Sequence, residues 1–133
     1  MRVLLRCAAA VTIGALAAGC DLPPGPSTPI VTEIFTGAIG PQGANVYRFA
    51  VISSSTVSVR LADVQPLAIA LGLGLGTPKN DIDCTLLSSN PSAVVQQLPQ
   101  ISVTTNPGAY CVQVFDTGSV SSSAAFSVIV THS

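Results

Sequence analysis

Ser55-Thr56-Val57-Ser58-Val59-Arg60-Leu61-Ala62 is the stretch whose reading decides the fold class. Apolar residues fall at every second position, with Ser58 and Arg60 between them. An extended strand turns successive side chains to opposite faces, so Val57, Val59 and Leu61 share one face that requires a core. The alternate residues stand outside.

The same period recurs on both sides of this segment. Tyr47, Phe49 and Val51 alternate with Arg48 and Ala50, and Leu67, Ile69, Leu71, Leu73 and Leu75 with Ala68, Ala70 and three glycines. Tyr110, Val112 and Val114 alternate with Cys111, Gln113 and Phe115, and Phe126, Val128 and Val130 with Ser127, Ile129 and Thr131. Shorter strand candidates lie at 32–39, 83–88 and 98–104. Turn-forming residues separate them: Gly40-Pro41-Gln42-Gly43, Ser53-Ser54-Ser55, Thr77-Pro78-Lys79-Asn80, Asn106-Pro107-Gly108 and Thr117-Gly118-Ser119. No long stretch has a helical period. Seven or eight short strands at this spacing predict an all-β chain, a jelly-roll-like antiparallel β-sandwich. Tyr47 and Tyr110 fall on inward registers and are expected in its core.

Residues 1–19 read differently. Arg2 and Arg6 precede an apolar run from Cys7 to Ala18, and small residues then mark a cleavage point. That is the three-part layout of a secretory signal. A membrane-spanning helix needs about 20 apolar residues, and this run is shorter and meets Pro23 and Pro24. Two cleavage products are open. Ala15-Leu16-Ala17 fits ordinary signal peptidase, which leaves a soluble secreted protein. Ala17-Ala18-Gly19-Cys20 resembles the bacterial lipobox, though Ala17 stands where that motif prefers Leu, Val or Ile. The resemblance implies a diacylglyceryl thioether on Cys20, and two or three acyl chains anchor firmly where one is marginal. Asp21 resembles the inner-membrane retention signal of enteric bacteria, with cell membrane and outer membrane both open. Four prolines and a glycine between Asp21 and Pro29 predict an extended tether. The chain therefore divides into a leader at 1–19, a lipidated cysteine and linker at 20–29, and one domain at 30–133.

After cleavage, Arg48, Arg60 and Lys79 stand against Asp21, Glu33, Asp63, Asp81, Asp83 and Asp116, a formal charge of −3. No basic patch remains for nucleic acid. With Cys7 in the leader and Cys20 lipidated, Cys84 and Cys111 are left to pair in an oxidising compartment. The disulfide is expected to stabilise the domain by roughly 3 to 4 kcal/mol. Cys111 is out of phase with Tyr110, Val112 and Val114, so the bridge belongs on the outer face or edge of its sheet.

Gly37 followed by Val46-Tyr47-Arg48-Phe49-Ala50-Val51, Thr56 to Leu61, Pro66 to Leu71, Pro107-Gly108-Ala109-Tyr110-Cys111-Val112-Gln113-Val114 and Phe126 to Val130 together resemble the pre-peptidase C-terminal domain. The resemblance covers nearly all of the mature domain. It implies a non-catalytic jelly-roll-like sandwich appended to exported proteins, some members of the family binding calcium or extracellular polymers.

Candidate chemistry is sparse. Gly72-Leu73-Gly74-Leu75-Gly76 lacks the following helix that a phosphate loop requires. It reads as a strand with core-facing leucines and a bare glycine face, open to a partner or to aggregation. Asp81 and Asp83, with Asn80 and Asp116, are the candidate calcium ligands, although calcium wants six to eight oxygens. A solvated turn is the competing reading. The lone histidine, His132, lies in a terminal position where chains fray, so no serine has an evident base. The expectation is a non-enzyme without a cofactor, anchored to the membrane through Cys20 and meeting an unidentified envelope protein or polymer. A calcium-stabilised adhesion domain and a soluble secreted sandwich are the alternatives.

Overall fold

The computed structural model describes residues 23–25 and 27–133. The leader, Cys20 and Asp21 lie outside the described residues. Pro23–Gly25 and residues 27–30 are exposed and form no strand. Eight strands follow among the described residues: β1 (Val31–Ile39), β2 (Ala44–Val51), β3 (Ser55–Gln65), β4 (Leu71–Pro78), β5 (Cys84–Ala93), β6 (Ile101–Thr105), β7 (Gly108–Phe115) and β8 (Ala124–His132).

They form two four-stranded sheets, ordered β1-β8-β3-β6 and β2-β7-β4-β5. β1 pairs with β8, β2 with β7, β3 with β6 and β4 with β5, all antiparallel. The chain is thus one long hairpin, turned at β4–β5 and rolled so that its arms alternate between sheets. This connectivity is that of the eight-stranded jelly roll.

The alternating residues build the core as their period requires. Val57, Val59 and Leu61 of β3, Leu71, Leu73 and Leu75 of β4, Val112 and Val114 of β7, and Val128 and Val130 of β8 are fully buried. Each such side chain contributes about 1.5–3 kcal/mol by leaving water. Phe35 stacks on Tyr47 at 5.1 Å, and Tyr47 meets the edge of Phe126 at 6.2 Å. Tyr110 is buried and Tyr47 half-buried against the same core. A β-bulge in β3 between Leu61 and Asp63 breaks the strict period. The extra residue lets Asp63 stay exposed while Val64 turns inward.

Three expectations need correction. The strand expected from Leu67 begins at Leu71, because Ala68 adopts a φ of 68°, in the left-handed region, and interrupts the extended chain. Leu67 is consequently 72% exposed. The glycine face of β4 is not bare. β4 is an inner strand between β7 and β5, and a Cβ on Gly72 would strike the Phe115 ring, on Gly74 the Leu86 side chain, and on Gly76 the Thr85 backbone. His132 does not fray: it closes β8 opposite Val31, is only 3% exposed, and stacks on Phe49 at 5.1 Å.

Cys84 and Cys111 form a disulfide. Cys111 is fully buried yet on the face opposite Tyr110, Val112 and Val114, in register with the exposed Arg48 and with Gly76. β4 separates the two bridged strands, and strands two apart in a flat sheet lie about 9.6 Å from each other. The bridged Cα atoms are 6.0 Å apart. The start of β5 therefore folds across the outer face of β4, over Gly76.

One edge of each sheet is guarded, β1 in the first and β5 in the second. On β1 the carbonyls of Thr36 and Ala38 accept hydrogen bonds from the Tyr47 hydroxyl at 3.1 Å and from Asn45 Nδ2 at 3.2 Å. Gly37 leaves room for that hydroxyl, which a Cβ would displace. β5 carries Pro91 and two register shifts against β4, both of which spoil edge-to-edge pairing.

Candidate functional site

The outer face of the β1-β8-β3-β6 sheet carries two ordered rows of side chains. In one, Thr32 of β1 lies opposite Thr131 of β8, Thr131 opposite Ser58 of β3, and Ser58 opposite Ser102 of β6. Hydroxyl side chains thus cross all four strands, spanning about 14 Å at ordinary strand spacing. Two residues along, or about 7 Å away, runs Ile34–Ile129–Arg60. Ile34 is exposed, so this second row offers solvent an apolar strip ending in a guanidinium.

At the Arg60 end of the second row the β5–β6 connection forms a wall. Gln96 N donates to Leu61 O at 3.3 Å and Gln100 N to Val59 O at 2.9 Å, so the connection clings to the β3 edge beyond the end of β6. Gln100 Oε1 accepts from Leu61 N at 2.9 Å, and Gln100 Nε2 donates to Val94 O. The resulting half-open groove has a volume of ≈ 300 Å³ and is lined by Ser58, Arg60, Gln97, Pro99, Ile129 and Thr131 with the Val59 backbone. Arg60 donates to Gln96 O at 3.3 Å and pairs with no carboxylate among the described residues. Its guanidinium keeps most of its donors for a ligand.

The groove was not visible in the sequence. From the sequence, Ser58 and Arg60 read only as outward residues of one strand. Thr32, Ser102, Ile129 and Thr131 join them only through a register set by the whole roll.

The acids singled out from the sequence are placed apart. Phe115 pairs with Gly72 at the start of β4, whereas Asp81 and Asp83 follow its end at Pro78, so Asp116 is at the opposite end of the sheet. Asp116 Oδ2 accepts from Gln42 N at 2.9 Å, and its Oδ1 from the backbone N–H groups of Gly118, Ser119 and Val120. Its pKa is lowered, chiefly by the Gln42 N–H. Asp81 instead pairs with Arg48 at 3.1 Å, and Asp83 Oδ2 accepts from Asn80 Nδ2 at 2.9 Å. Asn80 Oδ1 in turn accepts from Ile82 N and Asp83 N, and Arg48 also bonds Asn80 O. This is a self-capped turn. Among the described residues no three His, Cys, Asp or Glu side chains form a group able to hold a metal ion.

His132 is terminal in sequence but enclosed in the fold. Nε2 of His132 lies 2.7 Å from Glu33 Oε1, and its Nδ1 faces Ser133 O at 3.4 Å. Ser53 Oγ is buried and has no hydrogen-bond partner, so it is not joined to this pair as a nucleophile is to its base. The His132–Glu33 contact instead ties β8 to β1 beneath Phe49.

No protein-family model matches the chain, and no curated protein matches it. Among solved structures, it is similar to the crystal structure of the Yersinia pseudotuberculosis-derived mitogen. The TM-score is 0.54 at 11% identity, covering 77% of this chain and 86% of that one. At that identity the likeness concerns the fold alone.

Proposed function

We propose that this chain is a non-catalytic accessory or binding module of the bacterial cell envelope, held to a membrane by lipid on Cys20. The order of its segments carries the reading. A charged start and apolar run lead to Ala17-Ala18-Gly19-Cys20, prolines follow, and a sandwich begins at Val31. The exposed, strand-free segment before β1 suits a tether. The resemblance of segments in β2, β3, β7 and β8 to the pre-peptidase C-terminal domain supports an accessory role. The enclosure of His132 between Phe49 and Glu33 supports the non-catalytic half, since a general base must reach a substrate.

Fractionation of cells expressing the full chain tests the anchor. The mature protein is expected in the membrane fraction with a lipidated Cys20 at its N-terminus, and Cys20→Ala is expected to release it or block its processing. Mass spectrometry showing cleavage after Ala17, or a Cys20→Ala protein processed and retained like wild type, would overturn the anchor.

A further inference from the structure

We propose that the groove on the outer face of the β1-β8-β3-β6 sheet binds a uronate unit of an acidic polysaccharide. This names a ligand class for the binding module and rests on that reading for its non-catalytic character, but not on the lipid.

The chemistry follows from what the roll brings together. Arg60 offers a planar fork of N–H donors with no acidic partner among the described residues, which matches a carboxylate. Ser58 and Thr131, with the Gln97 amide, provide groups that both donate and accept, as sugar hydroxyls require. Ile129 and Pro99 supply an apolar surface for the C–H face of the ring. A volume of ≈ 300 Å³ is at the small end of ligand sites, which suits one sugar unit with its neighbours outside.

The hydroxyl row gives those neighbours a path. It leaves the groove through Thr32 on one side and Ser102 on the other, at strand spacing and without a blocking charge in the row. Asp63, the acid nearest along β3, lies beyond the bulge and makes no ion pair with Arg60. A neutral glycan would leave the guanidinium unmatched. A simple carboxylate would leave the hydroxyls unused. The uronate satisfies both.

Titration calorimetry of the detergent-solubilised full chain with trigalacturonate tests this, alongside the neutral galactose trisaccharide and acetate. Saturable binding of trigalacturonate is expected, with the neutral sugar and acetate each at least tenfold weaker. Arg60→Gln should weaken binding at least tenfold and Thr131→Val by about two- to tenfold, both with unchanged melting temperature. Arg48→Gln, on the other sheet, should bind as wild type does. Absence of trigalacturonate binding, equal binding of the neutral sugar, or an Arg60→Gln variant of wild-type affinity would each overturn the proposal. Chromatography of the same mixtures separates the two readings: shortened sugars would overturn the non-catalytic assignment, whereas the affinities alone judge the groove.

Discussion

Gln42 occupies the third position of the turn Gly40-Pro41-Gln42-Gly43 with a φ of 58°, and Gly43 N donates to Gly40 O at 3.0 Å. Proline at the second position and a positive φ at the third describe a type II turn, whose third residue is ordinarily glycine. Gln42→Gly is therefore expected to raise the unfolding free energy by about 0.5–1 kcal/mol, read from denaturant midpoints. The bond from residue 42 to Asp116 is unaffected, because its donor is the backbone N–H. An unchanged or lowered midpoint would refute the strain. Asp116 itself makes stability depend on acid. Its folded pKa lies below the ordinary 3.8, chiefly because the Gln42 N–H favours the charged form. Its contribution is thus fully present above 3.8 and disappears as pH falls through the lowered folded value. Asp116→Asn keeps an acceptor but not the charge. The melting temperature of wild type should exceed that of the variant at neutral pH, and the gap should narrow below pH 3.8. A gap independent of pH would show that charge plays no part.

At the level of elements, β4 is defined by what fills its glycine positions. Leu71, Leu73 and Leu75 were legible as one face of a strand, because period two is a local property. The covering of Gly72, Gly74 and Gly76 was not. It depends on Phe115, Leu86 and the Thr85 backbone arriving from two other strands, in a register that includes shifts between β4 and β5. The distinction predicts unequal costs. Gly74→Ala meets a flexible leucine side chain and should destabilise by about 1 kcal/mol. Gly76→Ala meets backbone, which cannot rotate away, and should cost about 3 kcal/mol. In a double-mutant cycle, Leu86→Ala should recover much of the Gly74→Ala penalty and little of the Gly76→Ala penalty. Equal costs for the two glycines would mean that β5 is held less tightly over β4 than the geometry requires.

At the scale of the whole molecule, the fold was legible because five alternating segments and three shorter strand candidates, separated by turns, leave few closed arrangements, and the jelly roll is one. The groove was not, since Thr32, Ser58, Ser102 and Thr131 meet only when β1, β3, β6 and β8 are in register. The enclosure of His132 is hidden for a related reason: nothing local announces that Phe49 and Glu33 will surround it. The disulfide was legible by count and phase, but its route over β4 was not. That route couples the bridge to Gly76. Replacing both cysteines with alanine removes a constraint across a sequence separation of 27 residues and should cost roughly 3 to 4 kcal/mol. It also frees the start of β5 from its 6.0 Å approach to β7, so that Thr85 can lift from the β4 backbone. Gly76→Ala should then cost less in the bridge-free protein than in the bridged one, with a coupling of about 0.5–3 kcal/mol. Denaturant unfolding of the four proteins in this cycle measures it. If Gly76→Ala costs the same with and without the bridge, then strand pairing alone presses β5 over β4, and the disulfide merely closes a contact already made.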